Sequence, residues 1–197
     1  RDLGIERDTI LLFMTDNGTS AGRYNAQMRA RKGSPYDGGH RVPCFIHWPG
    51  RLDGGKDVNH LTAHIDILPT LTDICGLRRP GGIHWDGSSL VPLLHGSDSG
   101  WPDRTLVVDS QRIEHPEKWR KSAVMTDRWR LVKGQELYDI EEDPGQKNDL
   151  SGQKPELVKK LREEYELWWE DVSDRFDEYC RIVLGSEEEN PAPLTCM

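Results

Sequence analysis

Between Asp8 and Met14 the chain reads DTILLFM, a short and nearly unbroken apolar run. That texture predicts a strand buried on both faces of a parallel sheet. A second run, Arg41 to Trp48 (RVPCFIHW), predicts the next strand, and Pro49-Gly50 ends it with a turn. From His64 to Gly76, the apolar residues Ile65, Leu68, Leu71 and Ile74 fall close to a helical stripe. Pro69 would start or kink that helix, and Gly76 would stop it. Ser88 to His95 predicts a short helix closed by Gly96.

The pattern changes at Thr105. Leu106–Val108, Ser122–Thr126, Trp129–Val132 and Glu136–Tyr138 are short segments with turn-like breaks at Asp127-Arg128 and Lys133-Gly134, which predicts an antiparallel meander. Asp143-Pro144-Gly145 is a strong turn. From Pro155 to about Asp174, Leu157, Leu161, Tyr165 and Trp168 share one face of an amphipathic helix with proline in its first turn. Ser186 to Met197 shows no clear element. The boundary between the two textures falls between Gly96 and Thr105, dividing the chain into residues 1–100 and 101–197.

Composition narrows the functional classes. The 197 residues carry a net charge of −8, which argues against a general nucleic-acid binder. An anionic substrate would need a local basic patch, and Arg29, Arg31, Lys32 and Arg41 are its best candidates. Apolar content is lean at 35% against 30% charged residues, as for a fragment whose missing partner covers part of its surface, while seven tryptophans require a real core or binding surface. The four cysteines, Cys44, Cys75, Cys180 and Cys196, form no C-x-x-C pair, and Cys44 in its apolar run is expected to be buried. No apolar stretch approaches the roughly 20 residues of a membrane-spanning helix. The first residues are not a signal peptide, which says nothing about export if the chain begins in mid-protein.

Two segments carry candidate chemistry. Thr15-Asp16-Asn17-Gly18 follows the first predicted strand directly, where α/β sheets collect ligands. Asp16 and Asn17 offer a carboxylate and an amide oxygen side by side, donors suited to calcium, although Asn-Gly is also a common hairpin turn. The long polar segment Thr19 to Gly39 contains Arg31-Lys32-Gly33-Ser34-Pro35-Tyr36-Asp37-Gly38-Gly39. Lys32 can meet an anion as a point charge, with glycine-freed N–H groups beside it; a solvated basic loop is the plainer alternative.

Taken in order, the blocks Thr-Asp-Asn-Gly, Lys-Gly-x-x-Tyr-Asp-Gly-Gly, Arg-Val-Pro and Trp-Pro-Gly resemble the sulfatase family. The likeness continues through Ile65-Asp66-Ile67-Leu68-Pro69-Thr70-Leu71, Asp86-Gly87-Ser88-Ser89-Leu90 and Pro92-Leu93-Leu94. It runs on to Trp129-Arg130-Leu131, Glu136-Leu137-Tyr138-Asp139-Ile140, Asp143-Pro144 and Asn148. It implies an α/β fold: part of an alkaline-phosphatase-like mixed sheet with flanking helices, plus a small C-terminal antiparallel sheet and helix. It also implies one calcium ion with Asp16 and Asn17 among its ligands, Lys32 as a catalytic contact to sulfate oxygens, and a sulfated small molecule or sulfated carbohydrate as substrate. By the same resemblance the protein would be periplasmic, secreted or lysosomal.

The departures are equally specific. The family nucleophile is a formylglycine made within Cys-x-Pro-Ser-Arg, and that motif is absent here. The nearest approach, Cys75-Gly76-Leu77-Arg78-Arg79, lacks Pro and Ser. The resemblance therefore implies a fragment whose formylglycine and remaining calcium ligands precede residue 1, inactive alone; a degenerate, non-catalytic homologue is the alternative. A phosphoester or phosphonate hydrolase of the same superfamily is another. His60 and His64 are four apart but lack the glutamate of a zinc motif. His40 and His47 are expected at a core edge. Gln111, Arg112 and His115 form a polar cluster that could set specificity or simply be solvated. Trp168-Trp169 is expected to pack, and Glu187-Glu188-Glu189 to be solvated surface.

Overall fold

Strand β1, Leu11–Met14, pairs antiparallel with strand β2, Cys44–His47, so that Phe13 lies opposite Phe45 with ring centroids 6.2 Å apart. The first apolar run is thus a strand, but not one buried on both faces of a parallel sheet. Leu11 is 62% exposed and Phe13 57%. The ladder has two strands, and no described element covers the face shared by Leu11, Phe13 and Phe45. Cys44, expected to be buried, is exposed at the start of β2. The computed structural model describes residues 2–22 and 24–176, together with the backbone of strands β7 (Val183–Leu184) and β8 (Ala192–Pro193), which pair antiparallel. Cys180, Cys196 and Glu187-Glu188-Glu189 lie outside the described residues, as does the rest of the segment after Ser186.

The chain forms two compact units, Arg1–Thr15 with Pro43–Arg104, and Asp16–Val42 with Thr105–Met197. A division at residue 100 would leave Asp16–Val42 in the first. The structure packs that segment with the later residues, because its buried side chains find their partners there.

In the first unit the predicted helix begins as a 3-10 turn, His64–Asp66, and continues as helix α1, Ile67–Ile74. Gly76 ends it at φ +61°, with Gly76 N–H bonded to the Asp73 carbonyl and Leu77 N–H to that of Thr72, a Schellman closure. The apolar stripe faces outward: Ile65, Leu68 and Leu71 are exposed, whereas Pro69, Thr70 and Thr72 are buried. What anchors the helix is polar. Asp66 is fully buried and accepts the N–H groups of Ala63 (2.7 Å) and Ser88 (2.8 Å) and both arms of Arg104 (2.9 and 2.7 Å). Thr70 Oγ1 accepts the Leu90 N–H, so the chain entering helix α2 (Val91–Leu94) is tied to α1. Gly87 permits this approach, since a Cβ there would lie 2.0 Å from the Ile65 carbonyl oxygen.

The second unit carries the meander: β3 (Leu106–Asp109), β4 (Ser122–Met125), β5 (Trp129–Val132) and β6 (Glu136–Asp139), paired antiparallel in chain order. Lys133 and Gly134 both have positive φ and form the centre of a tight turn, closed by the Gln135 N–H on the Val132 carbonyl at 3.0 Å, in the three-residue loop between β5 and β6. Helix α3, Pro155–Ser173, covers one face of this sheet, where Leu161 and Tyr165 pack with Val124, Leu131 and Leu137. Trp168 and Trp169 join that packing as expected. Trp119 stacks on Tyr165 at 3.6 Å between ring centroids, and the Trp119 backbone N–H donates to the Tyr165 hydroxyl at 2.8 Å.

The opposite face of the sheet receives the Asp16–Val42 segment. Tyr36 packs with Ala123, Val132 and Tyr138. Beside it Asp37, fully buried, opens a one-turn helix over Asp37–His40, too short to stand alone. Arg130 Nε donates to Asp37 Oδ1 at 3.1 Å, and the Asp37 N–H donates to Gln146 Oε1 at 2.8 Å. Arg130 also reaches the carbonyls of Thr126 and Trp129. A buried carboxylate with its partner removed is left uncompensated, so the pair fixes where this loop sits.

Two outcomes follow for stability in urea. Leu161→Ala should cost about 2–5 kcal/mol through the cavity it opens, whereas Leu167→Ala, on the exposed side of the same helix, should change stability by no more than about 0.5 kcal/mol. Arg130→Met should cost about 3–5 kcal/mol, and adding Asp37→Asn should recover part of it; purely additive losses would show that the two side chains do not act as a pair.

Candidate functional site

Three short stretches of backbone converge in the Asp16–Val42 segment. Gly18 N–H donates to the Gly39 carbonyl at 3.0 Å, Lys32 N–H to that of Thr19 at 3.1 Å, and Gly38 N–H to that of Arg29 at 2.9 Å. The approach is possible because three residues lack side chains. A Cβ on Gly18 would lie 1.9 Å from the Gly38 carbonyl oxygen, one on Gly38 2.4 Å from that of Ala30, and one on Gly39 2.1 Å from that of Ser34. Each distance is far below any tolerable contact, so these glycines are required by packing rather than by loop flexibility.

The convergence places the residues singled out from sequence. The Asn17 side-chain amide donates to Asp16 Oδ1 at 2.7 Å, so the two candidate metal ligands lie side by side, Asp16 exposed and Asn17 half-buried. Two residues on, the backbone of Thr19 holds that of Lys32. The Lys32 side chain is exposed and lines a cleft of about 560 Å³ with Ser20, Arg31, Gly33, Ser110, Arg112 and Lys121. Asp16 and Asn17 do not line this cleft. Among the described residues no three His, Cys, Asp or Glu side chains gather as a metal site. An adjacent carboxylate and amide fit as part of an oxygen-rich calcium shell, which takes about six to eight donors.

The basic patch expected from sequence divides in two. Arg31 and Lys32 line the cleft. Arg29 instead turns to the sheet: its Nη1 donates to the Tyr138 hydroxyl at 2.7 Å and the Gln146 carbonyl at 3.1 Å, and its guanidinium sits 3.9 Å over the Tyr36 ring. Burial works against the Arg29 charge, but Tyr138, Tyr36 and Glu136 more than offset it and raise its pKa. Tyr36 and Tyr138 both donate to the Glu136 carboxylate. Burial, and then the bond to Glu136, pushes the Tyr36 phenol up to about 12 and that of Tyr138 higher still. Arg41 lies 3.6 Å from Asp37 Oδ2. Burial lowers the pKa of His40, and Arg130 and Arg41 add to the effect against the pull of Asp37. Neutral His40 then donates Nε2–H to the Pro35 carbonyl at 3.1 Å. Arg29, Tyr36 and Tyr138 thus hold the loop in place and keep their protons while doing so.

The two histidines at i and i+4 take different partners. The His60 ring lies 6.3 Å from that of Trp101, while His64 Nε2 meets the Thr15 carbonyl at 2.9 Å. Sequence reasoning missed Lys121 altogether. Its one signal was a cation at the entry to a strand, and its place in the cleft depends on a left-handed backbone at φ +48° that no local pattern announces. Asp37 and Arg130 stand in the sequence as members of longer blocks, Tyr36-Asp37-Gly38-Gly39 and Trp129-Arg130-Leu131. A charge inside the short apolar strand Trp129–Val132 was the available clue.

Comparison with known proteins agrees with the resemblance read from the motifs. Residues 31–169 match the family described as N-sulphoglucosamine sulphohydrolase, C-terminal. Arylsulfatase A of Bos taurus is 33% identical over 83% of the chain, which spans 33% of that protein. Human arylsulfatase A is 29% identical, and the chain spans 38% of it. The crystal structure of Ps i-CgsB superposes with a TM-score of 0.73 at 29% identity, covering 83% of this chain and 37% of that one; its complex with k-i-k-neocarrahexaose gives 0.72 at 28%. The phosphonate monoester hydrolase of Agrobacterium radiobacter shares the fold, with a TM-score of 0.62 at 24% identity over 98% of this chain and 40% of its own. The buried Asp66 and Asp37 anchors, the glycine-packed Lys32 loop and the four-stranded sheet with its helix thus sit in a chain that belongs to the sulfatase family of hydrolases.

Proposed function

We propose that this chain is the sulfate-holding portion of a sulfate-ester hydrolase. Lys32 binds the non-bridging sulfate oxygens, Asp16 and Asn17 supply two ligands of one calcium ion, and the nucleophile, a formylglycine, comes from sequence preceding residue 1. The observation that carries this reading is the glycine-dependent convergence of the 18–19 and 31–39 backbones, which holds the residues directly after the Asp-Asn pair against the Lys32 loop.

The chemistry asked of these residues is electrostatic. Hydrolysis breaks the bond between sulfur and the ester oxygen, puts a water-derived oxygen on sulfur, and leaves the alcohol with a proton. Negative charge shifts among the sulfate oxygens as that bond lengthens. An ammonium group on a rigid loop offsets this charge without having to reorganise. Calcium, when bound, would add Lewis-acid charge at the same group. Lys32 is suited to its part because backbone bonds, glycine packing and the buried Asp37–Arg130 pair fix its loop, while Lys32 itself lines the cleft.

The substrate is proposed to be a sulfated carbohydrate or a small sulfated molecule. Support for the saccharide comes from Ps i-CgsB, whose structure is described with a hexaose bound. A phosphoester or phosphonate substrate is the second reading; it rests on a neighbour whose 24% identity speaks to fold.

The purified 197-residue chain should hydrolyse neither an aryl sulfate nor an aryl phosphate, and turnover by the chain alone would refute its dependence on a preceding portion. Expressed with the sequence that precedes it in its reading frame, it should turn over the sulfate ester in preference to the phosphate; the reverse preference would select the phosphoester reading. In that form Lys32→Ala should lower kcat by about 10²-fold or more, the scale of losing one charge-stabilising donor. Chelation should abolish activity and calcium should restore it. Asn17→Ala should raise the calcium needed for half-activity at least about tenfold, a loss typical even of outer-shell partners.

A further inference from the structure

The backbone just ahead of Lys32 takes a shape that its side chains do not favour. Ala26, Gln27 and Ala30 have φ of +56°, +62° and +64°. Three of the seven non-glycine residues at positive φ among the described residues thus fall within five consecutive positions, 26–30. In this region the Cβ of an L-residue crowds its own backbone, and alanine has no polar side chain with which to offset the cost. Such a backbone persists only where surrounding contacts impose it.

One side chain spans the segment. Asn25 Nδ2 donates to the Met28 carbonyl at 2.8 Å and to the Ala30 carbonyl at 3.1 Å, while the Asn25 carbonyl accepts the Met28 N–H at 3.2 Å. Asn25 therefore ties the start of the segment to its end. Both side-chain partners are acceptors, so the amide NH₂ suits them and a carboxylate of the same shape does not. The same carbonyls then meet the Lys32 loop. The Ala30 oxygen that Asn25 holds is the one against which Gly38 packs, where a Cβ would lie 2.4 Å away. The neighbouring Arg29 carbonyl accepts the Gly38 N–H at 2.9 Å. Lys32 follows Ala30 by two residues, with its own N–H on the Thr19 carbonyl.

We infer that Asn25 is a positioning residue for Lys32: its side-chain amide holds residues 26–30 in a left-handed backbone, and that backbone sets where the Lys32 loop closes. The consequence for catalysis rests on the sulfatase reading of Lys32; the hold on the loop does not. Gly38 and Gly39 permit the close approach, and Asn25 supplies the attraction that keeps the incoming backbone in the shape that meets them. Asn25 touches no reacting atom in this scheme. A displacement of about 1 Å in a group that must meet the transition state can cost about 10²-fold in rate, so a loop cation is only as effective as its backbone is fixed.

The test uses the protein expressed with the sequence that precedes it in its reading frame, and reads aryl-sulfate hydrolysis beside amide hydrogen exchange. Asn25→Ala should lower kcat about tenfold or more, and Asn25→Asp, which sets a carboxylate against two carbonyls, at least as much. In both variants the amides of Lys32 and Gly38 should exchange about tenfold or more faster, while those of helix α3 keep their rates. In a Lys32→Ala background, Asn25→Ala should change kcat by less than about twofold, because the group it positions is gone; a merely structural loss would lower activity alike in both backgrounds. Adding Ala26→Gly and Ala30→Gly to Asn25→Ala should restore most of kcat and of the exchange protection, since glycine takes positive φ without a Cβ to crowd. Unchanged kcat and exchange in Asn25→Ala, a rise in exchange spread equally over helix α3, equal losses with and without Lys32, or no recovery with glycine would each overturn the inference. If Lys32→Ala leaves kcat unchanged, the sulfate-holding reading fails, and the exchange rates with their recovery by glycine then decide whether Asn25 holds the loop.

Discussion

The loop that carries Lys32 depends on a carboxylate with almost no contact with water. Asp37 opens a turn of sequence Asp-Gly-Gly-His, which has no helical propensity to sustain it. Its place is imposed by Arg130, by Arg41 at the edge, and by Gln146 on its backbone N–H. Desolvating an ion pair does not by itself add much stability. Its value lies in position. A carboxylate in this pocket has one arrangement in which its charge is met, and the backbone on either side must follow. Three glycines then let the neighbouring strands of loop close to atomic contact.

Asp66 repeats this solution in the other unit. There too a fully buried carboxylate meets an arginine, Arg104, and collects backbone N–H groups from two separate segments. There too a glycine, Gly87, stands where a side chain would strike backbone. The blocks that carry the family resemblance are therefore largely these anchors. Ile65-Asp66 and Asp86-Gly87-Ser88 are two sides of one knot, and Tyr36-Asp37-Gly38-Gly39 and Trp129-Arg130 are two sides of another. Each half of a knot leaves a buried charge or a backbone clash without the other.

Much of this architecture could be read from local pattern. The closure of α1 at Gly76, the Lys133-Gly134 hairpin and the face of α3 bearing Leu161 and Tyr165 all follow from rules that act over a few residues. The direction of β1 did not, because an apolar run states neither its neighbour nor its pairing sense, and its exposed face shows that an apolar run need not be buried. Nor did the sorting of the basic patch. Arg29, Arg31, Lys32 and Arg41 look alike in sequence, yet Arg29 and Arg41 answer to Glu136 and Asp37, partners that only the fold reveals. The division at residue 100 missed the membership of Asp16–Val42 for the same reason, since Asp37 and Arg130 are 93 positions apart.

That sorting of cations connects the fold to its chemistry. An acidic chain can bind an anion only where cations escape neutralisation by their own neighbours. Here the buried carboxylates each take an arginine, whose planar fork suits a fixed partner, and Arg31 and Lys32 of the glycine-packed loop line the cleft. Exposed charges of this kind are screened over about 10 Å at ordinary salt, so their field acts locally, within the concavity that holds them.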